Sequence, residues 1–189
     1  WSRLFSSSFA LNVGQYLYHK DPTVTTYADD DNTLITKSIS KMRGHHTGAP
    51  EINFYGDIAF RHKGWMARAS VQFWGLSYVE PSAIRRTERV LSYASSVEEA
   101  EALAFQQGLP SGATVDLSLS KYLKLNDDIS LGVSITVRNM LGSNMISRGY
   151  EQHRMERRTV GYRTDIAPFA NRLTYAYPRL FSLAATLRF

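Results

Sequence analysis

The amino-acid sequence predicts an all-β protein, built as an antiparallel section of a transmembrane β-barrel with long extracellular loops. Two observations predict this fold class. Six segments alternate between apolar and polar residues with a period of two, which places one apolar and one polar face on each strand. The connections between them alternate strictly between short and long, which places every long loop at the same end of the sheet.

The first alternating segment sets Phe5, Phe9 and Leu11 against Ser6 and Ser8. Later segments repeat the pattern, and most extend over about nine residues, the length that a strand tilted by about 45° needs to cross the hydrocarbon layer. No run of about 18 apolar residues occurs, so the sequence contains no spanning helix. The predicted strands cover residues 5–17, 52–61, 65–73, 113–120, 129–138 and 181–189.

Short turns join the second strand to the third and the fourth to the fifth. Lys63-Gly64 suits a two-residue hairpin turn, and the other turn passes through Asn126, Asp127 and Asp128. The other three connections run to roughly 30 residues, beyond the usual loop lengths of a compact domain. Outer-membrane barrels have short periplasmic turns and long extracellular loops. The pattern therefore indicates the bacterial outer membrane, with the C-terminus at the periplasmic face.

One of the long connections, residues 79–112, is expected to contain a short helix. Ser96 has the character of an N-cap residue, and Glu98 and Glu99 fall in the first turn, where carboxylates are favourable. The apolar side of this helix is narrow. We therefore expect it to pack against neighbouring loops.

Six strands do not close a barrel by themselves. Every backbone polar group inside a bilayer must be paired, so a spanning sheet has to close, and the smallest single-chain bacterial barrels have about eight strands. Further strands must come from upstream residues of the same protein or from copies of the chain. The absence of a signal peptide favours the first source. Residues 1–189 are thus expected to be the C-terminal part of one outer-membrane β-barrel domain.

The final segment resembles the last strand of outer-membrane proteins, which alternates apolar residues and ends in an aromatic one. In those proteins the motif is the signal read by the barrel assembly machinery. Many barrel families share it, so it indicates the class of protein only. The residues that correspond to it here are Phe181, Leu183, Leu187 and Phe189.

A more specific resemblance comes from residues 137–142, with the sequence VRNMLG, followed by residues 149–154, with the sequence GYEQHR. Together they resemble the penultimate strand and last large loop of TonB-dependent receptors from the Bacteroidota. Residues 64–65, 78–81 and 85–87 are similar to the same group. The resemblance covers most of the chain and is weakest before about residue 50.

This resemblance implies a wall section of an active nutrient transporter, with a siderophore, a glycan or a peptide as cargo. Such receptors have a barrel of about 22 strands around an N-terminal plug. The implied partners are the rest of the barrel and its plug, an energy transducer of the TonB type, the barrel assembly machinery and outer-membrane lipid. The plug and the transducer-binding segment do not lie within these residues. A surface lipoprotein partner is left open.

Polar residues of the alternating strands are expected to face the barrel lumen, because charge is excluded from a lipid-facing surface. Some are expected to pair with the plug. These predicted lumen- and plug-facing residues are Tyr55, Asp57, Arg61, Arg68, Gln72, Asp116 and Arg138.

Two charged clusters in the long loops are candidates for contacting cargo or anionic lipopolysaccharide. The alternative, ion pairs between the loops themselves, is favoured because such pairs are often structural. The clusters comprise Arg85, Arg86, Arg89, Glu151, Arg154, Arg157 and Arg158. Aromatic residues near the strand ends are expected at the membrane interfaces, and they are Trp1, Tyr16, Tyr18, Trp65, Trp74, Tyr78 and Tyr122.

Enzymatic and nucleic-acid functions have little support. The chain lacks cysteine and recognisable phosphate-loop, nucleophile-elbow or metalloprotease motifs. Adjacent His45 and His46 point to opposite faces of a strand, which disfavours a shared metal, and residues 29–32 lack the spacing of a calcium loop. The net charge of +5 is dispersed in clusters interleaved with Glu, unlike a nucleic-acid-binding stripe. No cofactor is expected.

Two other functions remain open. One is a structural or secretion-machinery barrel component without its own cargo. The other is a soluble β-sandwich that binds ligands through its long loops, because a sandwich produces the same alternation.

Overall fold

Fourteen β-strands, two short α-helices and one 3-10 helix make up the regular structure of the described residues, which are 4–27, 33–161 and 163–189 of a computed structural model. At residues 157, 158, 160 and 163–165 only the backbone is described. The strands are β1 (Phe5–Val13), β2 (Thr23–Tyr27), β3 (Leu34–Ile39), β4 (Ile52–His62), β5 (Trp65–Gly75), β6 (Ser77–Tyr78), β7 (Gly108–Leu109), β8 (Gly112–Lys124), β9 (Ser130–Arg138), β10 (Ile146–Tyr150), β11 (Met155–Val160), β12 (Arg163–Pro168), β13 (Arg172–Tyr175) and β14 (Leu180–Arg188).

Six of these strands form one antiparallel sheet in the order β1-β4-β5-β8-β9-β14. They correspond one to one with the six predicted strands, so the all-β antiparallel class is confirmed. The first strand ends at Val13, short of the predicted boundary. The Gly14 amide still donates to the Glu51 carbonyl, and the chain then leaves the sheet. The fourth extends to Lys124, beyond its predicted end.

The register of the sheet places the alternating apolar residues of all six strands on the same face. Leu11 lies opposite Phe54, and Phe54 lies opposite Phe73 on the next strand. Farther along the sheet, Leu119 lies opposite Ile135, and Ile135 lies opposite Leu183. Since directly opposed residues share a face, the apolar surface is continuous from β1 to β14.

This apolar face is uncovered. Phe9 is 81% exposed, Ile135 50% and Leu183 73%. Single exposed apolar residues are normal in proteins, but a continuous apolar face across six strands is not. The two outermost strands, β1 and β14, each leave one edge without a partner strand among the described residues. The sheet is therefore open at both edges and bare on its apolar side.

Both short turns have the predicted form. Lys63 and Gly64 have φ angles of 44° and 77°, the left-handed pair that a two-residue hairpin turn requires. In the second turn, the Asn126 side-chain oxygen accepts from the Ile129 amide at 2.6 Å. Both short turns lie at the same end of the sheet, and the long connections lie at the opposite end.

The three long connections pack together at the other end of the sheet. We call them loop 1 (residues 14–51), loop 2 (76–111) and loop 3 (139–179). Together they form what we call the cap. Loop 1 carries the β2–β3 hairpin. Loop 2 carries a 3-10 helix (Ile84–Arg86), α1 (Glu88–Leu91), α2 (Val97–Ala104) and the β6–β7 pair. Loop 3 carries the β10–β13 pair and the β11–β12 hairpin.

The cap contains most of the buried interior of the molecule. Its buried apolar residues come mainly from loops 1 and 2 and include Met42, Val79, Val90 and Leu103. The predicted loop helix is confirmed as α2, and the Ser96 hydroxyl accepts from the Glu99 amide at 3.2 Å as an N-cap. Among the described residues, no helix is long and apolar enough to cross a membrane.

Candidate functional site

The polar face of the sheet brings together all seven residues predicted to face a lumen. The register aligns Tyr55 with Gln72, and Ser70 lies between Asp57 and Asp116. Alternation along each strand then places the remaining members on the same side. The seven are Tyr55, Asp57, Arg61, Arg68, Gln72, Asp116 and Arg138.

Three of these residues have partners within the polar face. The Asp57 carboxylate accepts from the Ser8 hydroxyl and lies 3.6 Å from Nε of Arg68. The Asp57 side chain is 9% exposed and that of Arg68 is 45% exposed, so the cation faces solvent while the carboxylate lies beneath it. Arg61 donates to the Ser6 hydroxyl at 3.1 Å. These contacts fasten β1 to β4 and β5.

Asp116 anchors loop 3 to the sheet. Its carboxylate accepts from the Asn139 amide at 2.8 Å and from the Tyr177 hydroxyl at 3.1 and 3.2 Å. Asn139 is fully buried with a φ of 47°, and its side-chain amide donates to the Ser143 and Tyr177 carbonyls. Asn tolerates this left-handed conformation better than most residues, which explains its place at the end of β9.

Gln72, Tyr55 and Arg138 keep their side-chain polar groups available among the described residues. Gln72 lines a recess of about 380 Å³ between the polar face and loop 3. Arg148 and Tyr175 line the same recess, and both are exposed. The recess therefore offers an amide, a guanidinium and the Tyr175 phenol to a bound molecule. Sequence reasoning did not select Arg148 or Tyr177, since both lie outside the alternating strands.

Loops 2 and 3 are joined by a buried, bidentate ion pair. Arg86 donates through Nη1 and Nη2 to the two Glu151 oxygens at 2.5 and 2.8 Å, and both side chains are almost fully buried. The Ser82 amide adds a third bond to Glu151 at 2.8 Å, and Arg86 also donates to the Phe105 carbonyl at 3.3 Å. Both Glu151 oxygens and both Arg86 Nη atoms are thus paired, whereas Nε of Arg86 is buried without a hydrogen-bond partner among the described residues.

Arg85 lies against the same carboxylate, with Nη1 at 3.7 Å from Glu151 Oε2. Burial lowers the pKa of Arg85, the Glu151 charge opposes this effect and neighbouring Arg86 reinforces it. Its Nη1 also donates to the Asn171 side chain at 3.3 Å. Arg85 is therefore committed to the interior of the cap.

These positions correct the predicted contact clusters. Arg85, Arg86 and Glu151 are buried in contacts with one another, so they are structural residues of the cap and do not face cargo or lipopolysaccharide. The favoured alternative of loop-to-loop ion pairs holds for them. Arg89 and Arg154 are exposed. The side chains of Arg157 and Arg158, like residues 29–32 and Trp1, lie outside the described residues.

Loop 1 is tied to loop 2 by a second carboxylate, Glu80. One of its oxygens accepts from the Tyr18 hydroxyl and the other from the Gly48 amide. Burial and the neighbouring Glu80 carboxylate raise the pKa of Tyr18 to about 12. The backbone of Glu80 also bridges to loop 3, donating to Gly149 at 2.8 Å and accepting from Glu151 at 3.0 Å. Glu80 thus connects all three loops.

A third contact group surrounds His46. Its Nδ1 lies 2.7 Å from the Glu51 carboxylate, and its ring stacks on Tyr78 with centroids 3.7 Å apart. Gln106 bonds both the His46 amide and carbonyl, at 2.9 and 2.6 Å. His45 instead contacts the Ala104 carbonyl at 3.1 Å. The two histidines thus have separate partners, and no cluster of three metal-binding side chains occurs among the described residues.

Most of the aromatic residues predicted at the interfaces divide between the two ends of the sheet. Tyr18 and Tyr78 belong to the cap, and Trp74 lies at the cap end of β5, where its indole donates to the Ile146 carbonyl in loop 3 at 3.2 Å. Trp65 and Tyr122 lie at the short turns and are about half exposed. The cap aromatics are therefore held by hydrogen bonds and stacking within the protein.

The last strand presents the residues that correspond to an assembly signal. Phe181, Leu183 and Leu187 alternate along β14 on the apolar face and are exposed, and Phe189 follows them with 98% exposure. The outer edge of β14 has no partner strand among the described residues. An accessible edge with exposed apolar side chains is a surface that pairs readily with another strand.

Comparison with known protein families, with curated proteins and with solved structures finds no match for this chain.

Proposed function

We propose that this chain forms part of the wall of an outer-membrane β-barrel of the TonB-dependent transporter kind. In this proposal the apolar face contacts lipid, the polar face lines the lumen, and the cap lies on the extracellular side. The observation that carries the proposal is the continuous, uncovered apolar face from β1 to β14. Burying one such side chain contributes about 1.5–3 kcal/mol, so a face of this size needs an apolar environment.

The distribution of charge supports a bilayer as that environment. All seven charged or polar residues singled out on the strands lie on the polar face, which leaves the middle of the other face free of charge. Charged side chains at the bilayer midplane of a barrel cost about 2–4 kcal/mol. The one-sided placement of Asp57, Arg68 and Asp116 avoids that cost.

The open edges support closure by additional strands. Backbone groups at the outer edges of β1 and β14 would be unpaired inside a bilayer, at a cost of several kcal/mol each. Strands from the same protein or from further copies would complete the barrel. The resemblance to TonB-dependent receptors is the basis on which we also propose the plug, the energy transducer and the assembly machinery as partners.

A β-sandwich provides another way to cover an apolar face, by means of a second sheet. The other strands of the described residues lie in the cap, and they leave the apolar face of the sheet uncovered. This arrangement favours the barrel over the sandwich. A structural barrel without cargo shares the same wall, and the recess beside Gln72 and Arg148 favours a transporter.

The absence of cysteine permits a direct test by single labelling. Ile135→Cys and Thr136→Cys place a spin label on adjacent residues of opposite faces. In outer-membrane protein reconstituted in bilayers, we expect the label at 135 to collide with oxygen, which dissolves in lipid, and the label at 136 with a water-soluble nickel complex. Equal aqueous accessibility at both positions would refute the barrel.

Transport is tested separately from membrane insertion. Heat-modifiable migration of the extracted protein would report a closed barrel, and uptake that depends on the proton-motive force would report coupling to an energy transducer. A closed barrel with no energy-dependent uptake of any nutrient would leave the structural barrel as the function.

A further inference from the structure

The apolar face has ionisable side chains at one place. Within the six described strands of the sheet, the ionisable residues on this face are His62 and Lys121. Both lie at the end with the short turns, and the register places Trp65 directly between them. The result is a row of His62, Trp65 and Lys121 across three neighbouring strands, which we call the turn-end row.

The turn-end row is ordered by its own contacts. The Lys121 ammonium lies 4.8 Å from the centre of the Trp65 ring, within the range of a cation–π interaction. It also donates to the Lys63 carbonyl at 2.8 Å. An ammonium group has three donors, so further acceptors can still bind Lys121. Trp65 is 46% exposed, which leaves room beside the cation.

An apolar furrow begins beside the row and follows β5. It has a volume of about 380 Å³, and its floor is formed by the small residues Ala67 and Ala69. Larger side chains on the two flanking strands form its walls, including Phe60 and Leu119. The wall residues Phe60 and Leu119 stand two positions from His62 and Lys121 respectively, so the furrow leads directly to the row.

The surrounding charge at this end is positive. Arg61, Lys63, Lys124 and Arg188 lie at or beside the short turns, against Asp127 and Asp128 in the second turn. Lys124 forms an exposed ion pair with Asp127 at 2.8 Å. Basic residues near a membrane surface attract anionic lipids. Arg61, Lys124 and Arg188 lie on the polar face, so the charge beside the furrow comes from Lys121 and from Lys63 in the turn, and it favours a negatively charged group over a neutral one.

We propose that the furrow and the turn-end row form a binding site for an anionic phospholipid. An acyl chain lies over Ala67 and Ala69, and the headgroup phosphate accepts hydrogen bonds from Lys121 and His62. Trp65 occupies the level of the headgroups, where tryptophan is enriched in membrane proteins. This site rests on the proposed lipid exposure of the apolar face, and it adds the chemistry and position of a bound lipid.

Native mass spectrometry of the reconstituted protein tests the proposal by titration with phosphatidylglycerol and with phosphatidylcholine. We expect tighter binding of phosphatidylglycerol. The Lys121→Gln substitution should weaken it by about fivefold, as expected for loss of one cation near the surface. Lys124→Gln is the matched control, because it removes a cation at the same end from the opposite face. It should leave binding unchanged within about twofold, since Asp127 already pairs with Lys124.

Two more variants keep the result interpretable. Lys121→Arg retains the charge. It should therefore bind phosphatidylglycerol as tightly as the wild type if Lys121→Gln acts through loss of charge alone. Ala67→Phe fills the furrow and should weaken both lipids. Equal binding of the two lipids, equal loss in both lysine variants, or full displacement by millimolar inorganic phosphate would overturn the proposal. The spin labels at positions 135 and 136 show independently whether the face contacts lipid, which separates this failure from failure of the proposed function.

Discussion

The sheet and the cap are stabilised in opposite ways. The sheet has regular strands, continuous register and almost no buried interior, and its side chains face outward on both sides. The cap has short, irregular elements but holds the buried residues, the bidentate ion pair and the connected hydrogen bonds. The sheet thus depends on its surroundings to cover it, whereas the cap supplies its own interior. The difference indicates that stability of the cap is set by specific pairs of residues, and stability of the sheet by environment and turn geometry.

The largest expected effect comes from breaking the ion pair in the cap. Glu151→Gln leaves Arg86 buried with an uncompensated charge, which costs about 3–5 kcal/mol. Hydrogen exchange should then accelerate at cap amides such as that of Ser82, with the strands of the sheet unaffected. Arg154→Gln, an exposed substitution in the same loop, should change the protection by no more than about 0.5 kcal/mol.

A double replacement sharpens this result. Arg86→Met combined with Glu151→Leu removes both charges, so the double variant should be more stable than Glu151→Gln alone. If the double variant is the less stable of the two, the pair itself stabilises the cap, and loss of compensation does not explain the single substitution.

The next largest effect is expected at a turn of the sheet. A Cβ on Gly64 would lie 2.5 Å from the Tyr122 carbonyl oxygen, and the φ of 77° disfavours any side chain. Gly64→Ala should therefore destabilise the protein by about 2 kcal/mol, the middle of the range for strained backbone conformations. Gly44, with a φ of 83° and open space around it, provides the control. Gly44→Ala should cost about 1 kcal/mol, and chemical denaturation of both variants measures the difference.

The smallest effect is a titration in the cap. Because the pKa of Tyr18 is raised from 10.0 to about 12, its contribution to stability is fully present below pH 10 and is lost as the pH rises through about 12. Ultraviolet absorbance of phenolate should show a tyrosine that ionises late, and Tyr18→Phe should remove that step. A Tyr18→Phe spectrum identical to that of the wild type in this range would contradict the assignment.

The sheet was predictable from local pattern, and the cap mostly was not. The residues of each strand show a period of two by themselves, and Ser96 and the two glutamates near it indicate the capped helix α2. The pairing of Arg86 with Glu151 joins residues 65 positions apart, and no local signal specifies it. Strands such as β10 and β13 are short, and their register shifts between Ile146 and Arg148, which removes the alternation that would reveal them.

The polar face shows the same division. Its seven residues were identified by alternation alone, but their partners were not. Tyr177 and Asn139 reach Asp116 only because loop 3 folds back over the sheet. The roles of these two residues depend on tertiary structure that the strand pattern does not contain.

The position of Glu80 between all three loops has a consequence for how the chain folds. Its contacts require the long connections to return to their correct places, and those places are set by the pairing of β1, β4, β5, β8 and β9. A slip of one residue between two strands would exchange their faces and displace the loops that follow. The cap would then fail to assemble and would remain open to proteases. Completion of the cap therefore depends on correct strand register, although the cap lies beyond the end of the paired strands.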